Sequence, residues 1–542
     1  MVTLIKGFVN DLKREFKGYN GKRFSKDLMA GLTVTAVALP LALAFGVSSG
    51  ADAAAGLITA IIAGLIISAF SGASFQISGP TGAMTAVLIT IVSKYQMQGV
   101  FIACFIAGLL LLLFGIFKLG KLVDFIPMPV VTGFTSGIAI IIALGQVDNL
   151  FGTVSVGETA LQKLFSYATL GFSPDWYAVA IGLLVILIMA FYPKKWNNTV
   201  PSSLVSIIIA AVVSYVAGFD IKTVGEIPRT LLPEMRLTIS GFDLKLAKEL
   251  GSPAFTIAML AMVESLLCGS AAARMKKEPF NADRELIAQG LGNMLIPFFG
   301  GVPATAAIAR TSVAIKSGCE TRLTGIIHAV GLMISMFLLG SLMAQLPLAA
   351  LAGVLIVTAW RMNEWESIKY IFSRRFKGAM AKFLITMVCT VVFDLTVAII
   401  VGVAFSFLIF VVKSAKFEIA VSKVDKSRLG AENSDVESSH ESSVVVYVTG
   451  SMFFGNASKL GSTIDELTDC KEIIFSLRGV PQIDASAAQN MYEMCHNLKE
   501  RNVSLCLCGV QEKVKEMMHR SGIVDLVGED AFYWSVDKAL LS

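Results

Sequence analysis

The sequence predicts a polytopic α-helical membrane protein that carries a small α/β domain at its C-terminal end. Of its 542 residues, 55% are apolar and only 16% are charged, which is too little charge for a water-facing surface of this size. Mean hydropathy is +0.71. Apolar runs fill most of the chain, and polar residues return only near its end. We therefore expect a cytoplasmic N-terminal segment at 1–27, a transmembrane domain at 28–413, a linker at 414–443 and a cytoplasmic α/β domain at 444–542.

Fourteen apolar runs divide the membrane part into two sets of seven, separated by a polar stretch at 220–253. A helix that crosses a bilayer needs about 20 residues. An odd number of crossings in each set makes the second set run opposite to the first, so the sequence predicts a seven-plus-seven inverted repeat. The runs are 28–48, 53–70, 77–92, 99–118, 128–147, 176–192 and 203–219, then 254–273, 286–299, 304–315, 323–345, 347–360, 379–393 and 395–413.

The third run of each set, 77–92 and 304–315, is interrupted by Gly, Pro, Ser and Thr. Interrupted segments at matching positions indicate an inverted-repeat transporter with a site near the midplane. Pro80 and Pro303 would stand near the first turn of each half-helix. The unpaired N–H groups and positive dipole end of a helix start attract anions. Two such starts facing one cavity predict an anion site, whereas ordinary Gly/Pro loops are the alternative for either segment alone.

Two charged residues stand in otherwise uncharged runs, Glu264 within 255–269 and Arg310 on the second half-helix. A carboxylate at the centre of a membrane helix costs roughly 2.5–3.5 kcal/mol, so it should face the interior of the bundle. We expect Arg310 to supply positive charge to an anion, and Glu264 to orient Arg310 or to exchange a proton. The alternative is a Glu264–Arg310 ion pair that only braces the core.

Four further residues are weaker candidates. Phe45 follows a proline in the first run; by itself we expect it to face lipid or to pack in the core, with an aromatic edge lining a cavity as the alternative. Cys268 lies four residues after Glu264 and therefore on the same helical face. In the C-terminal domain, Asp484 and Ser486 lie between a strand and a helix. We favour Ser486 as the cap of that helix, with phosphorylation of Ser486 as the alternative.

Composition and motifs argue against several other classes of function. The formal charge of +5 is small for this length and gives no support to nucleic-acid binding. No nucleophile–base pair, phosphate-binding loop or metal-ligand cluster is visible, so we expect no enzyme activity, cofactor or bound metal.

Basic residues predict that both termini are cytoplasmic in an inner (plasma) membrane. The polar stretch at 220–253 breaks this pattern, because it places further basic residues on the outer side among acidic ones. The residues that set the orientation, besides the N-terminal tail, are Lys118, Lys121, Lys194, Lys195, Arg274, Lys276, Lys277, Arg374, Arg375 and Lys377.

On these residues the chain resembles a bacterial member of the sulfate permease (SulP) family of anion transporters, nearest the bicarbonate-transporter-like branch. The resemblance rests on ALPLALAF (38–45), SGPTGAM (78–84), the long block 284–330 and a C-terminal STAS-type domain. It implies a core (transport) domain and a gate domain, a homodimer, and an anion site between the third and tenth segments. Substrates in the family include sulfate, bicarbonate, chloride, oxalate and dicarboxylates.

The resemblance also implies roles for single residues. Phe45 matches an aromatic residue beside the anion, Glu264 the acidic residue of the eighth segment, and Arg310 the basic residue of the tenth. Glu264 and Cys268 are the expected coupling residues. The expected substrate-binding set is Phe45, Ser78, Gly79, Thr81, Ala306, Ala307, Ile308, Ala309 and Arg310.

The coupling ion is where this chain departs from the bicarbonate branch. That branch binds sodium with an Asp and a hydroxyl one turn later, and it lacks a basic residue at the position of Arg310. Here the corresponding residues are Glu264 and Cys268, and a thiol is a poor ligand for a hard cation. We therefore favour H⁺ as the coupling ion, with Na⁺ as the alternative.

The STAS-type domain resembles anti-sigma-factor antagonists, in which a Ser in a D-S-S-G-like loop is phosphorylated. The sequence Asp484-Ala485-Ser486-Ala487 keeps the Asp and that Ser but lacks the following Gly. Phosphate on Ser486 in protein from its native cells, sought by mass spectrometry, would check the hypothesis. Otherwise the domain would bind a cytoplasmic regulator or support the dimer.

The sequence thus predicts a secondary active transporter of a small inorganic or carboxylate anion (sulfate, bicarbonate or a dicarboxylate). Transport would be proton-coupled symport or anion exchange by alternating access. The alternatives are a sodium-coupled bicarbonate symporter, an anion channel, and a membrane-anchored signalling protein whose STAS-type domain does the work.

Overall fold

The computed structural model describes residues 2–157, 160–193, 200–238, 243–393, 395–414, 417–423, 442–467 and 470–541. The chain divides into two compact units, Met1–Ala404 and Phe405–Ser542. Lys194, Lys195 and residues 424–441 of the expected linker lie outside the described residues.

The first half of the membrane unit follows the predicted runs and adds helices at the N-terminus and after the fifth run. The segment expected to be only a polar tail contains a helix and the first residues of the next one, which begins where the Asn20 side chain accepts the N–H of Arg23. The elements are α1 (Val2–Glu15), α2 (Gly21–Ser48), α3 (Ala53–Phe70), β1 (Ser78–Gly79), α4 (Gly82–Ile116), α5 (Met128–Gly145), α6 (Val147–Phe151), α7 (Ala160–Leu170), α8 (Trp176–Phe191) and α9 (Ser202–Ala217).

Helix α4 covers most of both the third and the fourth predicted runs. Its backbone is not helical at Gln96, where φ is 58° and ψ is −171°. A positive φ at a residue other than Gly interrupts the helical hydrogen-bond pattern. The 35 residues of α4 are therefore two helices joined at a sharp kink, and the first of them starts directly after β1.

The second half of the membrane unit repeats the order of helix, strand and short helix. Helix α13, which follows β2, has only 9 residues and cannot cross a bilayer alone. The elements are α10 (Leu244–Glu249), α11 (Gly251–Lys276), α12 (Ala282–Leu295), β2 (Thr305–Ala306), α13 (Ile308–Lys316), α14 (Leu323–Ala344), α15 (Leu348–Met362), α16 (Trp365–Ser373), α17 (Lys377–Val392) and α18 (Leu395–Ser414).

Within the described residues, 7 helices are long and apolar enough to cross a membrane by length and composition. They are α2, α3, α4, Met128–Phe151, α11, α14 and Val397–Ser414, and the shorter apolar helices are α8, α9 and α15. Large apolar side chains such as Phe191 and Tyr215 are strongly exposed, as expected of a surface that faces lipid. The predicted polytopic helical membrane domain is confirmed, and the count of fourteen crossings stays a prediction.

The C-terminal unit contains a five-stranded sheet in the order β3-β4-β5-β6-β7, in which only β3 runs antiparallel to its neighbour. The predicted small α/β domain is therefore confirmed. Its first strand lies inside 414–443, so part of the segment expected to be a linker belongs to the sheet. The elements are β3 (Glu418–Lys423), β4 (Ser443–Thr449), α19 (Ala457–Asp465), β5 (Glu472–Gly479), α20 (Ala485–Glu500), β6 (Ser504–Cys508), α21 (Glu512–Arg520), α22 (Ile523–Val527), β7 (Phe532–Tyr533) and α23 (Val536–Leu540).

Candidate functional site

The two interrupted segments meet as a short antiparallel ladder. Ser78 pairs with Ala306 and Gly79 pairs with Thr305. The ladder continues by one bond, because the N–H of Ala307 donates to the carbonyl oxygen of Ile77 at 2.9 Å. Helices α4 and α13 start directly beyond the two strands. The structure therefore brings together the two helix starts that the sequence placed at matching positions.

Neither helix start is closed by a side chain. The cap residues are Thr81 for α4 and Ala307 for α13, and neither makes a side-chain capping bond. The N–H groups of a first helical turn have no partner within the helix, so both starts present donors. Pro80 lies next to the cap of α4, whereas Pro303 lies before β2. The expectation that Pro303 opens the second half-helix is therefore wrong, because the strand intervenes.

Arg310 is buried between the two segments with a relative exposure of 1%. Its Nη2 donates to the carbonyl oxygen of Pro80, and its Nη1 is buried without a hydrogen-bond partner. A Cβ atom at Gly79 would overlap this guanidinium group, so Gly79 provides the room for it. An unpaired buried donor costs free energy. Arg310 thus reaches from α13 to the start of α4, and its Nη1 lies against Gly79 without a protein partner.

Glu264 binds Thr81, the residue next to Pro80. The hydroxyl of Thr81 donates to Glu264 Oε2 at 2.9 Å, next to the carbonyl oxygen that Arg310 binds. Glu264 is only partly buried. Both residues lie in the described part of the chain, and no direct ion pair joins them. The alternative of a bracing Glu264–Arg310 ion pair is therefore wrong, because each charge binds Pro80–Thr81 instead.

The side chains of Phe45, Ser78 and Cys268, three expected site residues, contact different parts of the membrane unit. The ring of Phe45 lies at the start of α4, where a Cβ atom built on Gly82 would be 3.2 Å from Phe45 Cε1. The hydroxyl of Ser78 accepts a bond of 2.8 Å from Gln289 Nε2. The thiol of Cys268 donates to Thr311 Oγ1 at 3.5 Å. Phe45 therefore borders the candidate site, whereas the side chains of Ser78 and Cys268 fasten neighbouring elements.

In the second segment, the N–H groups of the first residues are already hydrogen-bonded, and the residues after them are exposed. The N–H of Ala306 donates to Ser265 Oγ at 3.1 Å, and the N–H of Ala307 is used by the ladder. The residues after them are exposed, Ile308 with a relative exposure of 50% and Ala309 as well. The first two residues of α13 are thus the exposed side of the candidate site, whereas Arg310 in the same turn is buried.

Ligands for a cation are few at this position. In the described ranges, no group of three or more His, Cys, Asp or Glu side chains comes together. Glu264 offers one carboxylate beside the hydroxyl of Thr81, and Cys268 Sγ is engaged with Thr311 on α13. The arrangement offers more to an anion than to a metal ion.

Sequence reasoning missed a set of polar side chains on α12 that bind the two interrupted segments. Glu285, Gln289 and Asn293 are all buried on α12. Gln289 binds β1, Asn293 binds the residue before β2, and Glu285 binds the turn after α3. The signal was present as polar residues at a spacing of four in an apolar run, which places them on one helical face.

In the C-terminal unit the structure corrects the assignment of the helix cap. Asp484, not Ser486, caps α20 by accepting the N–H of Ala487 at 2.8 Å. Asp484 also accepts the N–H of Phe454 at 3.0 Å. Ser486 is the second residue of the helix and is exposed. The preferred interpretation of Ser486 as the cap is wrong because Ser486 already has helical backbone geometry.

Comparisons with known proteins agree with both units. The model of the sulfate permease family matches residues 24–389, and that of the STAS domain matches residues 435–539. The chain is 34% identical to the putative sulfate transporter YvdB of Bacillus subtilis, over 96% of this chain and 97% of that protein. It is 29% identical to the bicarbonate transporter BicA of Picosynechococcus, over 95% of this chain and 94% of that protein.

Solved structures show the same similarity. The transmembrane domain of a cyanobacterium bicarbonate transporter BicA is 30% identical with a TM-score of 0.63, covering 72% of this chain and 98% of that chain. The murine Slc26a9 anion transporter in the inward-facing state is 16% identical with a TM-score of 0.85, covering 100% of this chain and 94% of that chain, which supports the fold alone. The named relatives are transporters, not enzymes. The chain therefore belongs to the sulfate permease family of anion transporters, and it carries a C-terminal STAS domain.

Proposed function

We propose that this protein is a secondary active transporter that moves a small oxyanion across the inner (plasma) membrane by alternating access. One observation carries the proposal. The uncapped starts of α4 and α13 adjoin a buried guanidinium group that keeps one donor, Arg310 Nη1, without a partner. The relatives named above as sulfate and bicarbonate transporters favour sulfate or bicarbonate as the cargo, with a dicarboxylate as the alternative.

The geometry supports direct binding of the anion's oxygens. First-turn N–H groups of α4 and α13 would donate from two sides, where the helix dipoles favour negative charge. Arg310 would add a charge-assisted bond, and a guanidinium group suits the planar or tetrahedral oxygens of such anions. The edge of an aromatic ring is electropositive, so Phe45 at the start of α4 is compatible with bound negative charge. The exposed side of Ile308 and Ala309 would admit the anion.

For coupling, we favour a proton carried by Glu264. Thr81 joins this carboxylate to the start of α4, so protonation of Glu264 would change the charge beside the anion. Sodium is less well supported, because Cys268 Sγ is bonded to Thr311 and Arg310 already supplies a positive charge. Anion exchange without a proton is the alternative.

We further propose that both termini are cytoplasmic and that the protein is a homodimer.

The STAS domain would regulate transport through a cytoplasmic partner or through phosphorylation of Ser486. Ser486 is exposed at the second position of α20, and a phosphate there would be stabilised by the start of the helix.

The test is uptake of radiolabelled sulfate and radiolabelled bicarbonate into proteoliposomes, with and without Na⁺ and with a pH gradient. We expect the wild-type protein to accumulate one of these anions and Arg310→Ala to reduce uptake to background while remaining monodisperse in detergent. Arg361→Ala is the control, because Arg361 also lies on an apolar helix and donates to a main-chain carbonyl, that of Met189. It should retain uptake.

Three results would contradict the proposal. Wild-type vesicles that accumulate no anion under any gradient would refute active transport. Unchanged uptake by Arg310→Ala would remove Arg310 from the site. Unitary currents in planar bilayers would identify a channel instead.

A further inference from the structure

Helix α12 carries a stripe of three buried polar side chains, Glu285, Gln289 and Asn293, which we call the α12 stripe. Their spacing of four residues places them on one face of the helix, and each has a relative exposure of 0%. Buried polar groups are nearly always hydrogen-bonded, because leaving them unpaired is costly. The partners of these three side chains therefore show what the stripe does.

Glu285 fastens the turn that leads from α3 into β1. Its Oε2 accepts the hydroxyl of Ser71 at 2.6 Å and the N–H of Gly72 at 3.0 Å. Its Oε1 accepts Gln289 Nε2 at 2.9 Å. Ser71 Oγ itself accepts the N–H of Ala73 at 3.1 Å, so its proton points to Glu285. All three partners donate, which is the pattern expected around a carboxylate.

Gln289 fastens β1 itself. Its Nε2 donates to Ser78 Oγ at 2.8 Å and to Glu285 Oε1 at 2.9 Å. A side-chain amide nitrogen has two hydrogens, so both donors of Gln289 are used. A carboxylate at this position could accept the hydroxyl proton of Ser78 but could not donate to Glu285, and an apolar side chain of the same length makes neither bond. The amide oxygen of Gln289 is buried without a partner. The contact with Glu285 therefore requires a donor at position 289 with the reach of glutamine.

Asn293 fastens the second segment from the same face. Its Oδ1 accepts the N–H of Ala304 at 2.8 Å, and its Nδ2 donates to the carbonyl oxygen of Ala304 at 2.9 Å. Ala304 immediately precedes β2. One helical face thus holds both interrupted segments. Gln289 binds β1 and is itself held by Glu285, which also binds the turn after α3, and Asn293 binds the residue before β2.

The helix that carries the stripe is closely packed. A Cβ atom on Gly290 would lie 2.6 Å from the backbone nitrogen of Leu112 on α4, and one on Gly292 would overlap Ile67 on α3. Small residues permit such close approach of helix backbones. Helix α12 is therefore a rigid support between α3 and the second part of α4.

The ladder needs such a support. It pairs only two residues from each strand, and so short a ladder is not stable alone in water or lipid. Its register nevertheless sets where α4 and α13 start. We propose that the α12 stripe positions both helix starts for the anion, with Gln289 as the central positioning residue, although the stripe itself does not touch the anion. This inference rests on the proposed anion site.

Gln289→Glu tests the proposal with almost no change of shape. The new carboxylate would face that of Glu285, and two carboxylates in contact cannot both be ionised without a large penalty. Other titratable groups near this pair are the thiol of Cys268 and Arg322, which donates to the carbonyl oxygen of Ala69 at 2.8 Å beside the Ser71 turn and is paired with Glu15. Farther along α12, the thiol of Cys104 donates to the carbonyl oxygen of Asn293 at 3.2 Å. One added proton would restore a hydrogen bond across the pair.

The readout is uptake of radiolabelled sulfate into proteoliposomes, or of radiolabelled bicarbonate if the wild-type protein accumulates only that. Values are divided by wild-type uptake at the same pH. We expect Gln289→Glu to raise the KM about tenfold near neutral pH and to recover at acidic pH. Gln289→Met should be impaired at every pH. The double variant Glu285→Gln/Gln289→Glu, which reverses donor and acceptor, should recover part of the loss near neutral pH.

The outcomes separate this inference from the proposed function. If wild-type vesicles accumulate an anion and Gln289→Glu shows the wild-type KM and pH profile, the positioning role is overturned while the transporter proposal stands. If wild-type vesicles accumulate none, the proposed function fails. Should Gln289→Glu not reach the membrane, Gln289→Asn keeps the amide and shortens its reach. A raised KM supports the inference, and a wild-type KM overturns it.

Discussion

The two interrupted segments of the membrane unit are built differently, although each places a short strand before a helix. The start of α4 is buried and held on both sides, at Pro80 by Arg310 and at Thr81 by Glu264. The start of α13 is open, with Ile308 and Ala309 exposed. The first start is a fixed wall of the site, and the second is its accessible side.

This difference shows how an approximate repeat can produce an asymmetric site. The repeat places two helix starts side by side. Individual residues then make one start buried and the other exposed. The one arginine of α13, Arg310, spans the ladder and binds the opposite segment. Positive charge from the second segment is therefore positioned by the first, so neither start should bind an anion well alone.

After the loss expected from Arg310→Ala, the next largest effect is expected on the buried side, from Gly79→Ala. A Cβ atom at this position would overlap Nη1 of Arg310, so the buried guanidinium group must shift, which disturbs its bond to the carbonyl oxygen of Pro80. Overpacking of a close-packed site typically costs about 1–3 kcal/mol, and we expect at least about tenfold lower anion uptake in proteoliposomes.

A matched control for Gly79→Ala is Gly145→Ala at the end of α5, because a Cβ atom there meets nothing within 4 Å. This control should transport like the wild-type protein. Wild-type uptake and KM in Gly79→Ala would show that the contact between β1 and Arg310 does not matter for the site.

A smaller effect is expected from Glu264→Gln, which keeps an acceptor for Thr81 but cannot exchange a proton. If Glu264 carries the coupled proton, uptake should lose its dependence on external pH while anion binding persists. The measurement is initial uptake against external pH, with the exposed Glu249→Gln as the control for loss of a negative charge. An unchanged pH profile would leave Glu264 as a structural partner of α4.

Much of the architecture could be predicted from the sequence because it depends on composition along the chain. Apolar runs, interrupted at 77–92 and 304–315, predicted two helix starts at one place, and the ladder of Ser78 with Ala306 agrees. Arg310 was identifiable because a charge in an apolar run must find a buried role.

The sequence could not supply contacts that depend on packing. It left open whether Glu264 pairs with Arg310, and only the fold shows both binding Pro80–Thr81. The cap of α20 was assigned to Ser486 rather than Asp484, because both residue types favour that position. The role of Gln289 was missed because its partner, Ser78, is distant in the sequence.

The most direct test of a shared anion site is the accessibility of Ile308→Cys to a water-soluble thiol reagent in proteoliposomes. The exposed start of α13 should be modified readily, and sulfate or bicarbonate at ten times its Kd should slow modification about tenfold. Adding Arg310→Ala should abolish that protection. Equal modification rates with and without the transported anion would contradict a site formed by both helix starts and Arg310.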